Sequence, residues 1–409
     1  MRPGTLAVIL FCGSILTACG DDGDGNGTPT DPLIDSPGDL VAQGRGIVDD
    51  RYTAELWVRG TTAYTTTWGT RTVGGVQARG DAVKIWDVST TTPVLVDSLI
   101  VSDVTTLGDI QATADGRYLI VATEPVGSIV IFDLANPRKP VLVTRFTNTE
   151  IANGVHTADV QEVGGKQYAF LCIDARGTDR ARLVIVDIST PASPVVVFSS
   201  IMGGPSVHDV FVRDGILMAA LWNDGVTIFD IGGGGRGGTV SNPVELGNVK
   251  TAGGNAHNIF WYRDPVTGSK KFAFVGEEGP GSIPSISKGD IHVLDVSDMS
   301  NPREVAVYSI SGAGPHNFSA DEERGILYAA YYNGGVRAIN MRGDLGTCTA
   351  SQKIPDGRCD LRKMNRELAK GPVGLSVPIY MWGVHFADGR LYASDMLNGL
   401  FRLSTVPAF

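Results

Sequence analysis

Short apolar runs recur along the chain from about residue 40 to its end, and the strongest of them stop at an acidic or amide residue. Six align as VKIWDVS (83–89), IVIFDLA (129–135), LVIVDIS (183–189), VTIFDIG (226–232), IHVLDVS (291–297) and VRAINMR (336–342), with LFRLS (400–404) as a truncated seventh. Most copies continue into Pro and a second apolar run, as in NPRKPVLVTRF, TPASPVVVFSS and NPREVAVYSI. Ahead of each lies a run, a turn and another run, for example HDVFVRDGILMAALW. Runs this short, separated by Gly and Asp turns and without a helical period, are strands. Each repeat therefore holds four strands.

Four short strands at a period of roughly 45 to 70 residues predict the blades of a propeller. Hairpins begin near residues 53, 109, 156, 208, 257, 316 and 385. The expected fold is all-β: a seven-bladed β-propeller of four-stranded antiparallel blades over residues 39–409. The last unit runs out after three strands, at Ser404, so residues 39 to 48 are expected to complete it as an N-terminal closing strand. Such closure hides edges that an open array would expose. The longest insertion, residues 343 to 372, is expected to hold one short helix from Leu361 to Lys370, and a Gly-rich loop spans 232–238.

The N-terminus changes the compartment. Met1-Arg2 is a basic start, and Leu6 to Leu16 is an apolar stretch too short to span a bilayer, so residues 1–18 read as a signal peptide. The sequence Leu16-Thr17-Ala18-Cys19 resembles the lipobox of bacterial lipoproteins. That resemblance implies acylation of Cys19, membrane anchoring without a transmembrane helix, and placement on the outer membrane or cell surface. Residues 19–38 are acidic and rich in Gly and Pro, and read as a flexible tether. Asp22, Asp24, Asn26 and Gly27 match half of a calcium loop, but Leu33 stands where its closing glutamate belongs. Cys12 falls in the signal peptide, Cys348 and Cys359 flank a short loop and are expected to form a disulfide, and Cys172 in AFLCI reads as a buried free thiol. A net charge of −10 with no basic cluster argues against nucleic acid as a partner.

Five of the six histidines open a hairpin: His156, His208, His257, His316 and His385. Asp109 and Thr53 take that place in the remaining repeats, and His292 falls inside a third strand. The end of the second strand carries a second polar series, Glu124, Asp174, Asn223-Asp224, Glu277-Glu278, Asn333 and Asp395. Two readings of this pattern compete. In the structural one, each imidazole bonds an acid or amide of its own blade and fastens the turns together, as His–Asp networks do in WD-type propellers. In the functional one, the imidazoles and Asp109 converge on the channel mouth as ligands of copper or zinc, oriented by Glu124, Asp174, Asp224, Glu277 and Asp395. Trp68, Trp222 and Trp382 are placed near the same face.

Other chemistry is poorly supported. Gly203-Gly204-Pro205-Ser206 lacks the spacing of a nucleophile elbow, and GGGGRGG (232–238) lacks the Lys-Ser/Thr and helix of a phosphate loop. The repeats resemble the LVIVD family of bacterial surface and periplasmic proteins, and residues 183–187 spell its name. The resemblance extends over about residues 40 to 404 and implies the propeller, but no activity. It leaves a lipid-anchored module binding a protein, glycan or small ligand at the channel mouth, a metal-dependent oxidase or hydrolase, and a structural or adhesion protein. Copper held by channel-facing histidines in other propeller enzymes is an analogy at the level of fold.

Overall fold

The computed structural model describes residues 38–373 and 375–407; the segments expected to be a signal peptide (1–18) and a tether (19–38), with Cys19, lie outside the described residues up to residue 37. The described chain is all-β apart from one short 3-10 turn at Ala350–Gln352. Strands within residues 52–100, 106–146, 157–201 and 209–249 form four-stranded antiparallel sheets, called I to IV here. Sheet V, residues 256–308, gains a fifth strand at its edge, Cys359–Asp360. The remaining strands form an eight-stranded sheet VI, in which Gly38–Gly46 runs antiparallel to Gly399–Leu403 and parallel to Glu367–Val373. The opening strands of successive sheets lie side by side, from Tyr52–Arg59 through Thr106–Ala112 and onward, and Met381–Ala387 lies against Tyr52–Arg59 again.

The acidic or amide residue that ends each repeated run has a local cause. Asp87, Asp133, Asp187, Asp230, Asp295 and Asn340 each accept the backbone N–H two residues on, at 2.6–3.0 Å. This is the Asx turn that lets the chain leave a buried strand with its next donor satisfied. One to two residues earlier in the ladder, the pairing to the fourth strand slips in sheets I to V at Ile85/Trp86, Ile131/Phe132, Ile185/Val186, Ile228/Phe229 and Val293/Leu294. A bulge there increases the twist of the sheet. The third strands are buried along their length, as at Ala82–Asp87, while the fourth strands face water, as at Val94–Ile100.

The helix expected from Leu361 to Lys370 does not form. Residues 361–365 are a turn, and Glu367–Val373 is a strand paired with Val336–Asn340. Helix-forming side chains are overridden here by tertiary demand: the third strand needs a fourth, and Arg337 meets Glu367 at 2.9 Å in the buried sheet. The insertion is thus held to its neighbours at both ends. Cys348 and Cys359 are joined by a disulfide, and Arg358 beside it pairs with Glu304 of sheet V. Cys172 is a buried free thiol.

Candidate metal centre

His156 and His208 immediately precede the opening strands of sheets III and IV, His257 sits at a slip in the opening strand of sheet V, and His316 precedes Phe318–Asp321. Their rings form a continuous row, with centroids 4.4 Å apart from His156 to His208, 4.0 Å to His257 and 4.4 Å to His316. Glu278 joins the middle of the row. Its Oε2 lies 3.8 Å from His208 Nε2 and 3.7 Å from His257 Nε2. Among the described residues, this is the group of three whose ligand atoms all lie within 4.8 Å of one another. Donors about 2.0–2.2 Å from a tetrahedral ion stand roughly 3.3–3.6 Å apart, so the two contacts from Glu278 to the imidazoles, at 3.8 and 3.7 Å, need to close by only a few tenths of an ångström.

The hydrogen bonding leaves nitrogens available. His156 Nδ1 donates to Glu124 at 2.9 Å and His316 Nδ1 donates to the Trp382 carbonyl at 2.7 Å, which orients both rings and leaves each Nε2 as the bare nitrogen. His208 Nδ1 and both nitrogens of His257 are buried without a hydrogen-bond partner. Burial holds the protonated forms of His208, His257 and His316 well below the usual histidine range, reinforced by the neighbouring imidazoles, so these rings are neutral at pH 7. Burial also raises the Glu278 carboxyl, partly opposed by the hydroxyl of Tyr332, which donates to Oε1 and keeps Oε2 facing the imidazoles.

An aromatic wall surrounds the row. Trp222 stacks on His208 at 5.2 Å, Trp382 lies 4.1 Å from His316, and Tyr332 packs between His316 and Tyr380. Trp222 and Tyr332 are held at φ 53° and 43°, in the left-handed region that bulky side chains avoid. Such backbone strain is kept where the surroundings over-determine it, often at functional sites. At the His156 end, a cavity of about 220 Å³ opens between Trp68, Glu124, Asp174 and Arg176.

The remaining sequence candidates are distributed differently. Asp109 does not reach the row: Gly108 abuts the His156 carbonyl so closely that a Cβ would lie 2.0 Å from it, and Asp109 lies beyond. Its carboxylate accepts the N–H of Ile110 and of Ala158, and it lines a central cavity of about 380 Å³ with Glu55, Asp159 and Asp209. Burial raises all four acids, Asp159 to about 7. His385 also lies at that cavity, with its ring 4.5 Å from Trp57 and Nδ1 accepting the Val58 N–H, so burial pulls it down to about 4. Of the second series, Glu124 bonds His156, and Asp174 stands 3.7 Å from the same Nδ1. Asp224 is exposed, Glu277 turns away to His292, and Asp395 caps its own turn through Leu397 and Asn398. Glu277 is the acid the sequence pattern singles out, but its neighbour Glu278 is the one that faces His208 and His257, and nothing in the pattern marks Tyr332 and Tyr380 as part of the wall.

No curated protein sequence matches the chain. The LVIVD repeat profile matches residues 177–200 and 286–309, the two segments that contain the third strands of sheets III and V. The chain is therefore a protein that carries LVIVD repeats in an all-β, propeller-like fold.

Proposed function

We propose that this protein is an exported, lipid-anchored, seven-bladed β-propeller that holds a zinc or copper ion at the mouth of its channel. The single observation that carries the metal reading is the His208–His257–Glu278 group, in which His208 Nδ1 and both nitrogens of His257 are buried without a hydrogen bond of ordinary geometry. An unpaired buried nitrogen costs about 1–3 kcal/mol, and a bound cation would remove that cost at several atoms at once. Two imidazoles and a carboxylate form a donor set suited to zinc, with copper(II) next. Seven groups of four strands support the blade count, and the pairing of Gly38–Gly46 with Gly399–Leu403 supports closure by the N-terminal strand. The Cys19 motif supports export and acylation.

The cavity beside His156 favours a small ligand at this mouth over a macromolecule, because about 220 Å³ falls below the roughly 300–1,000 Å³ of pockets for drug-sized ligands. Elemental analysis of the purified protein tests the metal. About one equivalent of zinc or copper is expected, and a folded His208→Ala/His257→Ala variant should lose it. A wild-type protein that stays metal-free after incubation with either ion would refute the centre and leave the imidazoles as fasteners. Labelling with an alkynyl fatty acid, present in wild type and absent in Cys19→Ser, tests the anchor.

A further inference from the structure

A third cavity, of about 620 Å³, lies between sheets IV and V, at the end of the strand Asp209–Arg213 remote from His208. Its floor is the margin of a core cluster: buried Ile216 and Val296, with half-buried Leu246 and Met299. Its rim is basic. Lys270 is paired with Asp214 at 2.6 Å, and Lys271 lies 3.5 Å from Asp344. Arg236 is different, because among the described residues its exposed guanidinium has no hydrogen bond or ion pair.

The glycine-rich segment explains how Arg236 reaches that place. The Asp230 carboxylate accepts the N–H groups of Gly232, Gly234, Arg236 and Gly238 at 2.7–3.1 Å, so the loop folds around its own acid. These four donors hold Asp230 down to about 2, although burial opposes them. Gly233 presses on the Asp214 carbonyl so closely that a Cβ would lie 1.9 Å from it. The backbone donors are thus spent internally and cannot cradle a phosphate, while the Arg236 side chain is carried outward on an ordered loop. The equivalent notch between sheets II and III, where Gln167, Ile188, Ser189 and Pro191 replace Lys271, Val296, Ser297 and Met299, has a volume of only about 100 Å³ and no basic residue in its lining.

We infer that the cavity between sheets IV and V binds a small organic anion, a carboxylate carried on an alkyl or aromatic body, with Arg236 as its charge partner. The apolar floor takes the body, and the planar guanidinium meets the carboxylate with two parallel N–H donors. The size suits a ligand larger than the notch of sheets II and III could admit. The site is independent of the imidazole row and stands whether or not that row holds a metal.

Isothermal titration of the protein with octanoate, and with octan-1-ol as its neutral counterpart, tests the inference. Octanoate is expected to bind, Arg236→Gln to weaken it about tenfold or more, and Arg236→Lys to recover part of the loss. Octan-1-ol should respond to neither substitution. Absence of octanoate binding up to about 10 mM would overturn the site. Binding that is unchanged in Arg236→Gln would overturn the role given to Arg236, and equal weakening of the alcohol would show a loop collapse in place of lost charge recognition.

Discussion

His292 should make the protein markedly less stable in alkali. The ring is 1% exposed, with Nδ1 2.6 Å from Glu304 and Nε2 3.4 Å from Glu277. Burial alone would favour neutral imidazole, but hydrogen bonds and charge from Glu277 and Glu304 outweigh it and push the group up from 6.5 to about 9. Because the folded state holds the proton more tightly than the unfolded chain, the linked stabilisation is complete below about pH 6.5 and disappears as the pH rises through about 9. A change of that size corresponds to about 3 kcal/mol. Urea unfolding of wild type and His292→Gln over pH 6 to 10 measures it. The difference between the two proteins should be about 3 kcal/mol at the acid end and should shrink toward zero at the alkaline end. Carbon-13 labelling of the histidines reports the ring directly, and its resonance should titrate near pH 9. A His292 resonance that titrates near or below 6.5, or a stability difference that is flat with pH, would refute the reasoning.

Two other perturbations bear on the site and the ring. Tyr332→Phe removes the hydroxyl that orients Glu278, so the affinity for zinc should fall by about 10–100-fold while the Cα fold is retained; an unchanged zinc isotherm would reduce Tyr332 to packing. Starting the chain at residue 47 in place of residue 38 removes the partner of Gly399–Leu403 and leaves an unpaired edge, so the shorter protein should self-associate in sedimentation experiments where the protein of residues 38–409 does not. A truncated protein that remains monomeric and equally stable would argue against closure by that strand.

The repeat was legible because it is written in local physics. A buried third strand must be apolar along its length, and the turn that leaves it needs an Asp or Asn to satisfy a backbone donor, so VKIWD, IVIFD and LVIVD announce both. The one misread element, Leu361 to Lys370, failed for the converse reason. Its residues favour a helix locally, while the strand Val336–Asn340 offers hydrogen bonds that local propensity cannot anticipate. The histidine register was visible too, but register along a chain is not position in space. A slip in the pairing at Leu107/Ile110 and the contact of Gly108 with His156 carry Asp109 past the row, and His385 likewise turns toward Trp57.

By itself, then, the amino-acid order determined strands, turns and the recurrence of a polar slot, because each depends on neighbours a few residues away. Which imidazoles share a site, which of Glu277 and Glu278 faces them, and which aromatic rings enclose them were decided only by tertiary structure. The reason is geometric. Successive side chains on a strand point to opposite faces, so a single bulge reassigns a residue from one cavity to another without changing the sequence pattern.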